Sequence, residues 1–395
     1  MSKNKPFKTF KVKRSKSRLY KKRKSTGRKV LEIVLMVLIV GVLGVVGYSA
    51  AGPLISYFQG DGEGSTTTPW EPPESSTPEE SDTTTSSSSE SVDTTQPVSG
   101  GKGAYVLTEA ALTNQASLSS ALESAKQAGC SVIIVTLKDV EGHLLYKSEL
   151  ADVKDTEIVT GTMTAQQIVS VIKGKGFTEV KALTPTLYDR LAPVYVDDMC
   201  YRFAAGGVQW LDGAPDKGGK RWADPFLDGT KDYYKRLTKE LTDAGFDEVL
   251  LSELRFPNFM PYDRSLLEKR NFDDNRYTAL TAVYKAAGSK AAAAVNMKDV
   301  LAGYGESWGS TAEILADKSF TGTVYLMIDL TDFGTTLATG ENTNISLPAD
   351  PAQKVQVLVS RAADYIGTNV TVIPVIGTKG LSVEALGKCY EALDA

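Results

Sequence analysis

From Ala104 to the C-terminus, short apolar runs alternate with segments of helical periodicity, and this alternation restricts the fold more than any other feature of the chain. The runs lie at residues 104–107, 131–137, 179–183, 248–251, 290–295, 323–328 and 370–376. Between two of them, residues 230–244 place Tyr234 and Leu237 on one helical face, and Gly245 supplies a C-cap. Continuously apolar strands that alternate with helices predict a parallel sheet whose faces are covered by those helices.

The number of these units favours a closed barrel over an open sheet. Seven clear units and one uncertain strand at residues 199–204 occupy about 290 residues, which fits an α/β fold of the (β/α)8 TIM-type barrel class over residues 104–395. An open, doubly wound sheet is the alternative. No glycine-rich phosphate-binding loop follows the first strand, which argues against that alternative.

Polar residues follow the ends of the predicted strands, where a β/α barrel carries its active site. The candidate catalytic acids are Asp139, Asp189, Glu253 and Asp329, and the candidate substrate-binding residues are Lys138, Tyr188, Trp210, Trp222, Ser252 and Arg255. Carboxyl groups on one rim indicate glycoside hydrolysis, in which one acid protonates the leaving oxygen and the other attacks the sugar or activates water. Arg255 is suited to hold a carboxylate in its ionised form or to bind a sugar hydroxyl, and the aromatic rings are suited to stack on sugar faces.

Each of these residues also has a structural interpretation. Acids at strand ends commonly cap a helix or a loop turn, which applies to Asp139 and Asp332. Glu253 and Arg255 together can form an ion pair that serves only the fold, and the aromatic residues can serve as packing. Only the convergence of several such residues on one rim therefore indicates a functional site.

Three segments precede the predicted barrel. Residues 1–29 hold 14 Lys and Arg and no acid, so the whole-chain net charge of −4 leaves −18 on the remainder. Within residues 30–58, the uncharged positions 33–58 exceed the roughly 20 residues that a transmembrane helix needs. The basic flank before them predicts a single-pass membrane protein with a cytoplasmic N-terminus and an extracellular C-terminal domain. Residues 59–103, mostly Ser, Thr, Pro, Glu, Asp and Gly, predict a disordered linker.

Several kinds of site lack the residues that they require. Cys130, Cys200 and Cys389 allow at most one disulfide, and the single histidine, His143, excludes a histidine-rich metal site. The basic segment 1–29 before an acidic remainder indicates that the two parts of the chain lie in different compartments, and it does not indicate a nucleic-acid-binding surface. We therefore expect no metal, no cofactor and no nucleic acid, and we expect a polysaccharide and the membrane as partners.

Two stretches of the chain carry a family resemblance. The matching residues are Trp222, Asp224 and Pro225, then Gly245 to Glu248, then Arg255 to Pro257, and upstream Lys138, Asp139, Gly142 and Tyr146, with LYDRLAP at 187–193. They resemble the W-x-D-P, G-F-D-E, R-F-P and V-K-D-x-x-G patterns of the family described as putative glycosyl hydrolase domain, which are barrel proteins of bacterial envelopes. The resemblance extends over residues 102–395 and implies a barrel and carbohydrate hydrolysis.

The sequence departs from this family at two positions. The acids of the family's F-D-Y and V-I-D-V segments fall on Ser252 and Thr136. Glu253 comes one position after Ser252, and neighbouring residues on a strand point to opposite sides. Glu253 therefore replaces the missing acid only where the strand bulges or has already turned into the loop.

Two functions remain open at this point. The first is a hydrolase of cell-wall or extracellular glycans that uses Glu253 with Asp139, Asp189 or Asp329 as the partner acid. The second is a degenerate barrel that binds envelope polysaccharide without cutting it, through Arg255, Lys138 and the tryptophans.

Overall fold

The barrel consists of seven parallel strands, and it is described by a computed structural model over residues 103–303, 308–340, 343–366 and 369–394. The strands are β1 (Ala104–Leu107), β2 (Val132–Thr136), β3 (Glu179–Pro185), β4 (Glu248–Ser252), β5 (Ala291–Asn296), β6 (Thr323–Ile328) and β9 (Thr371–Ile376). Each strand pairs in parallel with the next one in this order. Two further strands, β7 (Thr336–Gly340) and β8 (Thr343–Ser346), form a separate antiparallel hairpin after β6.

Helices connect the strands and cover the outside of the barrel. They are α1 (Gln115–Gln127), α2 (Ala165–Gly174), α3 (Ala192–Tyr195), α4 (Asp228–Asp243), α5 (Tyr277–Ala287), α6 (Met297–Leu301), α7 (Pro351–Tyr365) and α8 (Val383–Asp394). Side-chain caps set several of their starts. Asn114 accepts from the Ser117 amide, and Thr164 and Gln167 form a reciprocal capping box. The predicted alternation of strands and helices is confirmed.

The two faces of the strands separate into two hydrophobic clusters. Alternate residues such as Ile134 of β2, Leu250 of β4 and Tyr325 of β6 point inward and form a small cluster with Ala292 and Ala294 of β5. Their neighbours, such as Val135 and Val249, point outward and pack with the helices in the main core. The period of two along each strand therefore assigns every later strand residue to the inside or the outside of the barrel.

The barrel has a seam between β1 and β9, the two ends of the strand order. Tyr390 of α8 lies across this seam. Its hydroxyl donates to the carbonyl of Ala104 (2.7 Å) and accepts from the amide of Ile376 (3.0 Å). One side chain thus satisfies a main-chain group on each edge strand where a ladder of strand hydrogen bonds would otherwise run.

The expected eighth strand at residues 199–204 is wrong. Within the described chain these residues form only isolated antiparallel bridges, Cys200 with Ala223 and Arg202 with Gln209, inside the loop between β3 and α4. Tyr201 is buried there against the ring of Trp210 (5.7 Å between centroids). The apolar signal at 199–204 therefore reflects a loop with a small core of its own, and the (β/α)8 prediction holds only as far as a nearly closed, seven-stranded TIM-type α/β barrel.

The predicted basic tail (1–29), the membrane helix (30–58) and all of the predicted linker except its last residue, Gly103, lie outside the described residues. Across the ranges that the structure does describe, no helix is long and apolar enough to cross a bilayer.

Candidate functional site

All seven strands end at the same mouth of the barrel, because they are parallel. Thr136 ends β2 and Ser252 ends β4, and both have the parity of the inward residues Ile134 and Leu250. Two hydroxyl groups therefore occupy inward positions at the mouth, on strands that are both neighbours of β3.

Glu253 follows β4 immediately and has an unusual backbone conformation. Its φ is +51°, in the left-handed region that residues other than glycine rarely adopt. Its carboxylate accepts a hydrogen bond of 2.5 Å from Nε of Arg255, and about a fifth of its side chain is exposed (20%). Glu253 can replace an inward acid only if the chain has left the strand at this residue. The left-handed conformation directly after Ser252 meets this condition. Strained, non-glycine residues of this kind are concentrated at functional sites.

Arg255 connects Glu253 to two aromatic residues. Its guanidinium lies 4.8 Å from the centre of the Trp222 ring and 5.4 Å from the centre of the Tyr188 ring, and the two rings are 4.6 Å apart. The indole Nε1 of Trp222 donates to Asp212 (2.9 Å). These contacts hold the guanidinium against a partly desolvated aromatic surface, where cation–π attraction is strongest.

A second charged group continues this cluster around the mouth. Glu141 binds Nζ of Lys220 (2.5 Å) through one oxygen and Arg190 (2.7 Å) through the other. Lys220 also donates to the hydroxyl of Tyr188 (3.2 Å). The neighbouring Lys220 and Arg190 keep the pKa of Glu141 below its usual range. Tyr188 thus joins the two ion-paired groups into one continuous polar surface over the ends of β2, β3 and β4.

Asp189 and Lys138 lie beneath this surface as a buried ion pair, and both side chains are fully buried (0% exposed). One oxygen of Asp189 accepts from the amides of Leu191 (3.0 Å) and Ala192 (2.9 Å), and the other binds Lys138. The Lys138 ammonium also donates to the hydroxyl of Tyr234 (3.3 Å). Complete burial, with main-chain amides and a tyrosine hydroxyl as further partners, is the arrangement of a structural ion pair.

Asp139 organises the loop after β2. Its Oδ1 accepts from the amides of Glu141, Gly142 and His143 at 2.8–2.9 Å, and its Oδ2 lies 2.7 Å from Nδ1 of His143. Both of its oxygens are occupied, so in this structure Asp139 acts as the turn residue that its structural interpretation predicts.

Asp329 follows β6, which is two strands along the sheet from β4. It caps the 3₁₀ turn Leu330–Asp332, and its Oδ2 lies 3.7 Å from Nζ of Lys379. About a third of its side chain is exposed (34%). It lines a cavity of about 210 Å³ whose apolar floor includes Val106 and Met327 and whose rim also includes Asn296 and Asp332. This cavity opens at the ends of β1, β5, β6 and β9.

The two candidate tryptophans are buried. Trp210 packs against Tyr201 and Phe259 and donates from Nε1 to Asp263 (2.9 Å). Trp222 has Arg255 and Tyr188 against its ring, as described above. In this structure neither tryptophan offers a free ring face on which a sugar could stack.

Two further buried acids, Glu313 and Asp224, are not among the site residues that the sequence predicts. Glu313, in the loop between α6 and β6, has its pKa raised to about 7 by burial, against the hydrogen bonds that it accepts from main-chain amides. Asp224, of the W-x-D-P segment, has its pKa raised to about 6, also by burial. Strongly shifted acids are more frequent in functional sites than elsewhere. Nothing in the sequence around Glu313 distinguishes it from a surface residue.

Across the described ranges, no three Asp, Glu, His or Cys side chains converge in a way that could hold a metal ion.

Comparison with solved structures gives distant similarities. A hypothetical protein from Ruminiclostridium thermocellum is 17% identical, with 48% of this chain and 96% of that chain covered and a TM-score of 0.40. An exo-β-N-acetylglucosaminidase from Vibrio harveyi is 11% identical (73% and 54% covered, TM-score 0.41), and an α-fucosidase from Thermotoga maritima is 16% identical (72% and 56% covered, TM-score 0.31). The chain thus spans about half the length of these two glycosidases.

No curated protein sequence matches the chain. A profile of the family described as putative glycosyl hydrolase domain matches residues 103–307, which contain Asp139, Glu253 and Arg255 and more than half of the barrel. The chain belongs to this putative glycosyl hydrolase domain family.

Proposed function

We propose that this protein hydrolyses a polysaccharide at the mouth of its barrel. The observation that carries the proposal is Glu253, a partly exposed carboxylate that directly follows β4, has a left-handed backbone conformation and is ion-paired with Arg255, in a member of the putative glycosyl hydrolase domain family. A fold by itself does not determine an activity, so the proposal depends on the side chains at the mouth.

Glycoside hydrolysis needs two carboxyl groups, and Glu253 and Asp329 are the best candidates among the four predicted acids. Both are partly exposed at the mouth, and Asp329 lines the cavity there, whereas Asp189 is fully buried. Asp139 is as exposed as Glu253 (21%), but its Oδ1 is held by three main-chain amides of its own loop, while that of Asp329 accepts from the amide and the hydroxyl of Thr331. In this mechanism Glu253 attacks the sugar or activates water, Asp329 protonates the leaving oxygen, and the cavity beside Asp329 holds one sugar ring. Arg255 orients Glu253.

A second function, glycan binding without hydrolysis, is favoured by one specific observation. The inward positions at the ends of β2 and β4 carry the hydroxyls of Thr136 and Ser252. The nearest acid, Glu253, is already ion-paired. A barrel with these features keeps polar groups that can bind sugar hydroxyls, and it has fewer free carboxylates for proton transfer.

We also propose that the barrel works outside the cell on a cell-wall or extracellular glycan. The support comes from the sequence of the N-terminal segments: a basic tail, the uncharged positions 33–58 and a Ser/Thr/Pro/Glu-rich spacer that would hold the barrel away from the membrane.

The test is the release of reducing ends from isolated bacterial cell-wall glycans by the purified full-length protein. We expect Glu253→Gln and Asp329→Asn each to lower the rate at least about a hundredfold, since each removes one partner of a two-carboxylate mechanism. Glu384→Gln, on the exposed face of α8, is the matched control and should leave the rate unchanged. Release that is equally fast in Glu253→Gln and Asp329→Asn would refute the proposed roles. Absence of release, with the protein still sedimenting with the wall material, would establish the binding function instead.

A further inference from the structure

Glu313 holds together two loops at the barrel mouth. It is fully buried (0% exposed) in a 3₁₀ turn, Glu313–Ala316, that follows β5 and α6. Its Oε2 accepts a hydrogen bond of 2.8 Å from the amide of Phe256, and its Oε1 accepts one of 2.9 Å from the amide of Gly309. One carboxylate therefore ties the segment after β4 to the segment after β5.

The first of these segments is the one that carries the Glu253–Arg255 pair. Phe256 follows Arg255 directly, and only two residues separate it from Glu253. The Gly309 turn also lies against Arg255, because a Cβ at Gly309 would lie 3.4 Å from Nη1 of Arg255, and Gly309 has a φ of +81°. The turn at Gly309, whose amide binds Glu313, therefore lies next to the guanidinium of Arg255. We call Glu313 with the amides of Phe256 and Gly309 the clamp.

We propose that Glu313 is a positioning residue that fixes the Glu253–Arg255 pair at the mouth by anchoring the Phe256 and Gly309 amides. Glu313 does not reach the mouth itself, so it acts through these two loops. This inference rests on the proposed function for its catalytic consequence, but the clamp itself is a property of the protein without ligand.

The clamp requires Glu313 in its ionised form. A carboxylate accepts both amide hydrogens, whereas a protonated acid turns one oxygen into a donor and keeps full acceptor capacity at the other alone. The charged groups that face Glu313 are Arg276 and Arg255, and the phenols of Tyr201 and Tyr277 lie within its electrostatic reach. Burial outweighs the two arginines and the two amides and raises the pKa of Glu313 to about 7. The two amides are among the groups that lower this pKa, so a local opening that withdraws an amide from the still buried carboxyl raises the pKa further. By linkage, such local opening is favoured as pH falls through about 7, and the clamp should lose one bond below this pH. Global unfolding exposes the carboxyl and has the opposite dependence on pH.

The experiment is hydrogen exchange by mass spectrometry on the full-length protein at pH 6 and pH 8, with the rates corrected for the intrinsic effect of pH. In the wild type, we expect a peptide over residues 253–259 to be several-fold, and at most about tenfold, better protected at pH 8 than at pH 6, because the ionised fraction of a group with a pKa of about 7 rises about tenfold over this range. In Glu313→Gln the amide side chain has only one acceptor atom, so protection should be low at both pH values. A peptide from β2 serves as the internal control.

Two further measurements separate the clamp from a general effect on folding. Gly309→Ala perturbs the same clamp from its other end and should weaken protection at residues 253–259 without removing the dependence on pH. Where glycan release or binding is measurable, its inflection near pH 7 should disappear in Glu313→Gln, while Glu384→Gln retains it.

The outcomes distinguish this inference from the proposed function. Wild-type protection at residues 253–259 that does not change between pH 6 and pH 8 refutes the clamp, whatever the activity of the protein. A pH-dependent clamp in a protein that neither cuts nor binds glycan supports the clamp and refutes the proposed function alone.

Discussion

The hydroxyl of Tyr390 gives the sharpest test of how the barrel is closed. Replacing Tyr390 by Phe removes one oxygen atom and leaves the ring in place. It takes away the hydrogen bond to the Ala104 carbonyl (2.7 Å) and the hydrogen bond from the Ile376 amide (3.0 Å). Both residues are buried, so neither main-chain group gains bulk water as a partner.

The magnitude follows from the cost of two unsatisfied buried groups. Each such group costs about 1–3 kcal/mol, so we expect Tyr390→Phe to lower the free energy of unfolding by about 2–4 kcal/mol after partial relaxation of the seam. The assay is urea unfolding at equilibrium, with the slope against urea concentration expected to be unchanged because the same surface is exposed on unfolding. Tyr262→Phe, whose side chain is well exposed (58%), is the control and should change the free energy by less than about 0.5 kcal/mol.

A loss of less than 0.5 kcal/mol in Tyr390→Phe would refute the reasoning, because it would show that β1 and β9 satisfy these groups without the phenol. Gly103→Ala approaches the same contact from the other side. A Cβ at Gly103 would lie 2.3 Å from the Tyr390 ring, and the φ of Gly103 is +87°. We expect this variant to be destabilised as well, and less than additively with Tyr390→Phe, since both act on one contact.

Three other perturbations test the interior of the site. Lys138→Met should lower the free energy of unfolding by about 3–5 kcal/mol, because it leaves the buried Asp189 carboxylate unpaired; a loss below 1 kcal/mol in urea unfolding would contradict this. Glu253→Gly relieves a left-handed conformation that costs about 1 kcal/mol, so stability should be unchanged or slightly higher while glycan release is lost; thermal unfolding beside the release assay checks both. The Asp224 pKa of about 6 in the folded chain exceeds its ordinary value of 3.8, so the folded state binds this proton more tightly and stability falls as pH rises from 4 to 6. Between pH 4 and pH 7 the free energy of unfolding, measured with urea, should therefore fall by about 2–3 kcal/mol less in Asp224→Asn than in the wild type. An equal fall in both proteins would refute the pKa shift.

Much of the barrel follows from local sequence. The runs at 131–137, 248–251 and 323–328 each coincide to within one residue at either end with a strand of the parallel sheet, because an apolar run bounded by turns has few other ways to bury both of its faces. Residues 199–204 contain a similar run that the fold uses in a loop. The difference lies in the partners, Ala223 and Gln209, which come from the same loop and are not visible in the run itself.

The candidate site divides in the same way. The sequence predicted that Lys138, Asp189, Glu253 and Arg255 would follow strand ends, and they do. Which of them remain at the mouth depends on contacts between distant segments, such as Tyr234 of α4 with Lys138. Glu313 had no sequence signal because its two partners, at Phe256 and Gly309, are main-chain amides, which every residue except proline carries.

The sequence by itself determined the order of strands and helices, their parallel arrangement and the set of polar residues at the barrel mouth, because these depend on periodicity and on the chain direction of each strand. The tertiary structure alone decided that the described residues form seven barrel strands with a seam bridged by Tyr390, that Asp189 is buried while Glu253 is at the mouth, and that Glu313 anchors the loop of Glu253. Burial, main-chain hydrogen bonds and pKa shifts arise from segments that are far apart in the sequence. They can be assigned only when those segments are brought together in the folded chain.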